Sequence, residues 1–151
     1  MDLSPPFTVQ SAQQAAIEGR VGEWVGAFLA SPGSDNALLA IRLFEQETSI
    51  WLGPLKLELA RLRPMAGPNE GEGVVLIDED EWEHDIQQME DHLEEGWAPP
   101  PLLVSYHDGG LFLEDGNHRY ESLLRTGETH AWAIVWFLNE SDRAGFINPT
   151  S

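Results

Sequence analysis

The segment Leu111-Phe112-Leu113-Glu114-Asp115-Gly116-Asn117-His118-Arg119-Tyr120-Glu121-Ser122-Leu123-Leu124 decides how the chain is read. A strand ends at a Gly-containing turn, and a helix over about residues 117–126 starts directly afterwards, closed by Gly127. Backbone N–H groups and the positive end of that helix dipole face whatever occupies the turn. Tyr120, Leu123 and Leu124 mark the expected inward face, which leaves His118, Arg119 and Ser122 for the exposed rim. A cation in a first helical turn is unfavourable by about 0.3–1 kcal/mol when exposed. Arg119, one of only eight Lys and Arg residues, therefore needs a reason to be there. An anionic ligand supplies one, and a salt bridge to Glu114 or Asp115 supplies another.

Upstream, Leu102 to Tyr106 and Leu111 to Leu113 flank His107-Asp108-Gly109-Gly110, a hairpin signal. Before it lies an acidic amphipathic helix over residues 79–96, with Trp82, Ile86, Met89 and Leu93 three or four apart. His84, Gln88, Asp91 and His92 share one of its faces, which reads as a metal site or as a solvated polar face. Downstream, Ala131 to Leu138 is a continuous apolar run of strand length. The last dozen residues read as a surface tail.

Residues 49–52 read as a short strand stopped by Gly53-Pro54, and Leu55, Leu57 and Leu59 alternate as a second. A Gly- and Pro-rich loop covers residues 64–73, and Val74 to Ile77 suits a brief strand. Further back, Ser11 to Gln14 has the form of a capping box. Ile17, Val21, Trp24, Val25, Phe28 and Leu29 place a helix over about residues 10–30, and a second is expected over Asn36 to Glu47. The fold class is therefore α+β: a small mixed sheet with packed helices, preceded by an α-helical N-terminal extension. The expected division is an extension at 1–48, a domain at 49–138 and a tail at 139–151.

Composition narrows the function classes. The chain has 151 residues, 42% of them hydrophobic, with six Trp and six Phe, enough for a real core. Its formal net charge is -18, which disfavours DNA and anionic membrane surfaces as partners. Cys is absent, which excludes disulfides, thiolate metal sites and a cysteine nucleophile. The first ten residues lack the basic and apolar regions of a signal peptide, and no apolar run reaches bilayer-spanning length. A cytoplasmic protein is the expectation.

Glu114 to Leu124, with the preceding hairpin and the closing strand, resembles the signature of the ParB/sulfiredoxin-like superfamily. Those domains carry a G-x-[HR]-R turn at a helix N-terminus, followed by a small helix and an apolar strand. The D-G-N-H-R string here is similar to the form in ParB-like proteins and in the related free-serine kinases. The L-x-L-x-L-A-R-L-R-P segment at Leu55 to Pro64, the acidic helix and the PPPLLV lead into the hairpin follow in the same order. The resemblance covers roughly residues 49–138 and leaves the N-terminal helices outside.

The resemblance implies a nucleotide site for ATP, ADP or CTP, with magnesium as an accompanying ion. Carried over by position, Gly116, Asn117, His118 and Arg119 form the phosphate cradle, and Arg63 is a second contact. Asp115 or Glu70 would act as a general base or hold a metal-bound phosphate. Phosphotransfer, nucleotide hydrolysis and nucleotide sensing all stay open, as does a small-molecule kinase acting on a hydroxyl-bearing acceptor. Sulfiredoxins have Cys where Asn117 stands, so their sulfinic-acid repair is excluded. Chromosome-partitioning ParB proteins add a helix-turn-helix module, for which the residues after 138 leave no room. Arg61, Arg63, Arg119 and Arg125 suggest that the scarce positive charge gathers at one pocket for a small phosphorylated molecule. The alternative is an acidic interaction or regulatory protein without catalysis, docking a basic protein partner.

Overall fold

A computed structural model describes residues 7–29, 50–68, 75–96, 99–107, 109–137 and 139–147. The helix expected over Asn36 to Glu47 and residues 69–73 of the expected loop lie outside the described residues. The apolar run near residue 131 forms the strand His130–Phe137, whose last five residues are all buried. It is flanked on both sides, antiparallel to Ile50–Glu58 and parallel to Leu102–His107. A strand buried between two neighbours needs no polar alternation, which is why its sequence is continuously apolar.

In chain order the strands are β1 (Ile50–Glu58), β2 (Leu62–Pro64), β3 (Ala66–Gly67), β4 (Val75–Leu76), β5 (Leu102–His107), β6 (Gly110–Asp115) and β7 (His130–Phe137). The helices are α1 (Val9–Ile17), α2 (Val21–Leu29), α3 (Glu79–Glu94), α4 (Asn117–Arg125) and α5 (Glu140–Ile147). Five strands form a mixed sheet in the order β1-β7-β5-β6-β2, and β3 and β4 form a separate parallel pair. The chain is α+β. The hairpin β5–β6 is antiparallel, whereas the short edge strand β2 runs parallel to β6.

Gly53-Pro54 does not stop the first strand as expected; β1 runs through it. The register shifts between Leu52 and Leu55, so the extra residue is absorbed as a bulge against β7. Gly53 has φ 120°, and a Cβ there would stand 2.7 Å from the Ala133 carbonyl oxygen. Only glycine lets the strand pass that close to its neighbour.

Helices cover both faces of the sheet. On one face Ala12, Trp24, Val25, Phe28 and Leu29 pack against Leu103, Ile134 and Trp136. Burying each of the larger side chains is worth about 1.5–3 kcal/mol, so the N-terminal helices form one layer of the core. The single helix expected over residues 10–30 is two helices, because the chain turns between them through Gly19 at φ 71°. The capping box also lies earlier than expected: Thr8 caps α1 and Ser11 is its reciprocal partner.

On the other face Tyr120, Leu123 and Phe146 pack against a core that includes Leu57, Leu113, Val135 and Phe137. Phe146 belongs to α5, within the stretch expected to be a surface tail. Its ring lies 5.3 Å from Tyr106 and 5.6 Å from Phe137, and that anchoring keeps a weakly patterned segment helical. Helix α3 packs on α4, with buried Trp82 against His118, and also buries Ile86. No helix among the described residues is long and apolar enough to cross a membrane.

Candidate functional site

Helix α4 starts where β6 stops, with Gly116 as the N-cap at φ 100°. A Cβ at this position would lie 2.6 Å from Leu102 Cδ2 and 2.8 Å from Arg119 Nη2. Both the left-handed backbone and the occupied space demand glycine. Gly116 brings no side-chain oxygen to the first turn, and no acidic residue lies in it. The positive end of the helix dipole is thus left without an anionic side chain of its own turn.

Asn117 fixes the turn from below. Its Oδ1 accepts from the Met65 N–H at 2.9 Å, and its Nδ2 donates to the Leu113 carbonyl at 3.3 Å. One buried amide therefore ties the segment after β2 to the end of β6 and the start of α4. The amide expected to contact phosphate is engaged by these two backbone groups.

Arg119 departs from the expected rim position. It is 6% exposed. Its Nη1 donates to the carbonyls of Pro100 and Pro101 at 2.7 and 3.0 Å, and its Nη2 donates to Asp115 Oδ2 at 2.8 Å. The guanidinium also lies 5.6 Å from the centre of the Phe28 ring, on α2. Burial pulls the Arg119 pKa down from its usual value, and Asp115 opposes that shift by charge and hydrogen bond. Of the two reasons offered for this arginine, the carboxylate of Asp115 is the one in contact. Glu114 instead accepts from Ser105 Oγ.

The inward face of α4 is accordingly polar at its start. Asn117, Arg119 and Ser122 are buried, and Ser122 Oγ donates to the His118 carbonyl. Tyr120 and Leu123 pack on the sheet, but Leu124 is 41% exposed. The apolar-face expectation failed because the first turn of α4 meets strand-end carbonyls and a carboxylate, which satisfy polar side chains.

His118 is the cradle residue that keeps some exposure. Its ring lies 4.5 Å from Trp82, and Nε2, itself buried, stands 3.5 Å from Asp85 Oδ2 without a hydrogen bond among the described residues. That distance is an ion pair only when the ring is protonated. Arg63 is exposed on β2 with its guanidinium 5.5 Å from the Phe112 ring centre. Glu70 lies outside the described residues.

The expected gathering of Arg61, Arg63, Arg119 and Arg125 does not occur. Arg61 lies over Phe146, Arg63 over Phe112, and Arg125 pairs with Glu83 and Glu121. Asp115, expected as a base, is the counter-charge of Arg119. Among the described residues no group of three or more His, Asp or Glu is placed to hold a metal ion, the His84–His92 face of α3 included.

Lys56 is the residue sequence reasoning passed over, and it stands with His130 and Trp132. They share with Arg119 the wall of a cavity of about 340 Å³. Lys56 is the chain's single lysine and sits directly opposite Trp132 in the β1–β7 register. That singularity was visible in the sequence, but the register was not.

No family model and no curated protein matches the chain. Among solved structures it is similar to a conserved hypothetical protein from Pyrococcus furiosus, with 17% identity and a TM-score of 0.41 over 54% of this chain. It is also similar to sulfiredoxin from Arabidopsis thaliana, with 18% identity and a TM-score of 0.37 over 55% of this chain and 81% of that one. A third is a Pnob8-like ParB-N domain, with 14% identity and a TM-score of 0.38 over 64% of this chain. The matched part spans 31% of the Pyrococcus chain and 32% of the ParB-N chain.

Proposed function

We propose that the protein binds the phosphate groups of a nucleotide, ATP, ADP or CTP, at the N-terminus of α4. The observation that carries the reading is the turn at Gly116, which opens the helix without a side-chain cap and without an acidic residue in its first turn. Buried contacts of Asn117 and Arg119 hold that turn in place from two sides, so its donors are pre-organised for an anion. In this reading the first-turn N–H groups take the phosphate, and His118, half-buried with Nε2 enclosed beside Trp82 and Asp85, borders it. Asn117 and Arg119 are positioning residues.

The D-G-N-H-R resemblance supports the nucleotide as the source of the phosphate. Phosphotransfer or hydrolysis at this turn would need a base other than Asp115, whose carboxylate is committed to Arg119. Magnesium would arrive with the nucleotide and be held through its phosphate oxygens.

Calorimetric titration with ATP, ADP and CTP, with and without magnesium, tests the reading. Saturable binding of at least one nucleotide is expected, weakened about tenfold by His118→Ala. Absence of binding by all three to the wild type overturns it, as does full affinity in the His118→Ala variant.

A further inference from the structure

A second site backs onto the α4 turn, sharing Leu102 and Arg119 with its surroundings, and does not depend on the nucleotide reading. It is the cavity at the end of the sheet where β1 finishes and β5 and β7 begin. Its volume of about 340 Å³ lies within the range that small-molecule sites occupy. Elements distant in sequence wall it. Helix α1 brings the amides of Gln10 and Gln13, the β1–β7 pair brings Lys56, His130 and Trp132, and Arg119 closes the inner end.

The charge of this wall is unlike that of the molecule. The chain carries 26 Asp and Glu against eight Lys and Arg. The cavity wall holds two of those eight cations, Lys56 and Arg119, against one carboxylate, Glu128. Arg119 is already compensated by Asp115. Lys56 is not: among the described residues it pairs with no carboxylate and lies only over the Trp132 ring, 5.6 Å from its centre. A cation on an aromatic face keeps its charge available to an incoming anion, because the ring quadrupole neutralises none of it.

His130 lies two residues before Trp132 on the same face of β7, so its imidazole lines the same mouth. Glu58 is its cross-strand partner. Leu102, Leu123 and Trp132 supply apolar wall. The chemistry is a lone ammonium, amide donors and an apolar floor.

We propose that this cavity binds a small organic anion, a carboxylate or phosphate on a flat apolar body, with the anionic group on Lys56 and the body against Leu102, Leu123 and Trp132. The amides of Gln10 and Gln13 donate to the anion's remaining lone pairs. The site is assembled only when α1 packs on the sheet, so its occupant also holds the N-terminal layer in place.

The single lysine makes the test specific. Reductive methylation with isotopically labelled formaldehyde keeps the lysine charge and labels only Lys56 and the N-terminal amine. Benzoate and phenyl phosphate are titrated while the Lys56 methyl resonance is followed, with benzamide as the neutral analogue. Saturable shifts with dissociation constants of about 1 mM or below are expected for at least one anion, and the tighter one names the head group. Benzamide is expected to bind at least about tenfold more weakly by the same signal, and the anions at least about tenfold more weakly to the Lys56→Met variant, which lacks the labelled group and is titrated by calorimetry. Lys56 is exposed, so the variant should fold; its circular dichroism checks that. Absence of saturation up to about 10 mM, or equal affinity for benzamide in the wild type, overturns the proposal. The benzamide comparison needs no variant.

Discussion

Asp115 at the end of β6 and Arg119 in the first turn of α4 face each other across the Gly116 cap with Oδ2 and Nη2 separated by 2.8 Å, and both residues are buried. Removing one partner strands the other charge away from water, which costs about 3–5 kcal/mol. Asp115→Ala and Arg119→Ala should each lose that much in urea denaturation. The Asp115→Leu, Arg119→Met double variant should lose less than the two single losses added together. A single-variant loss below about 1 kcal/mol would mean that the pair behaves as a surface contact.

Two glycines with positive φ should respond differently to alanine. At Gly127 (φ 87°) nothing lies within 4 Å of a built Cβ, so Gly127→Ala carries only backbone strain of about 1 kcal/mol. At Gly116 the Cβ also meets Leu102 and Arg119. Gly116→Ala should therefore cost at least about 2–3 kcal/mol, and thermal melting of the pair of variants checks the order.

Asn117→Ala removes both buried amide bonds and leaves the Met65 N–H and the Leu113 carbonyl short of a partner. The expected loss is about 1–3 kcal/mol. Hydrogen exchange at the Met65 amide should accelerate more than exchange at the centre of β7.

Phe28→Ala should destabilise the whole protein by about 3–5 kcal/mol in one cooperative transition. Phe28 is 4% exposed and packs with residues of the sheet. A separate early transition of α1 and α2, with the sheet unaffected, would contradict their place in the core.

The Glu83–Arg125 bridge links α3 to α4 at the surface, with two hydrogen bonds of 2.7 Å. Those hydrogen bonds hold the Glu83 carboxyl below its usual pKa. A depressed folded-state pKa means that the link contributes above the unfolded carboxyl's pKa. It is lost as acid takes the pH down through the lower folded value. An NMR titration of Glu83 should show the depressed midpoint, and Arg125→Ala or high salt should return it towards normal.

The elements legible in the sequence are those with unmixed patterns. The run at 131–138, the hairpin around Gly109-Gly110 and the amphipathic α3 all lie within a residue or two of their expected positions. Patterns failed where a local signal met a tertiary contact. Gly53-Pro54 reads as a stop, yet β7 carries β1 through it as a bulge. Helix α5 has little periodicity, yet Phe146 finds the core. At the candidate site, the glycine turn was legible and the fate of its cation was not. Whether Arg119 meets a ligand or a carboxylate depends on the strand-end carbonyls of Pro100 and Pro101, which no spacing rule places beside it.

Strand β7, which lies between β1 and β5, is also the last of the seven described strands to be synthesised. Ile50 waits for Phe137, and Leu103 waits for Ile134. Until residues 130–137 leave the ribosome, β1 has no sheet neighbour and β5 has one edge open. Nascent chains of this protein therefore carry an unpaired β1 from its synthesis until β7 appears, joined late in that interval by the open edge of β5, a hazard for edge-to-edge association. Chains stalled just short of His130 should be the ones that chaperones bind most tightly.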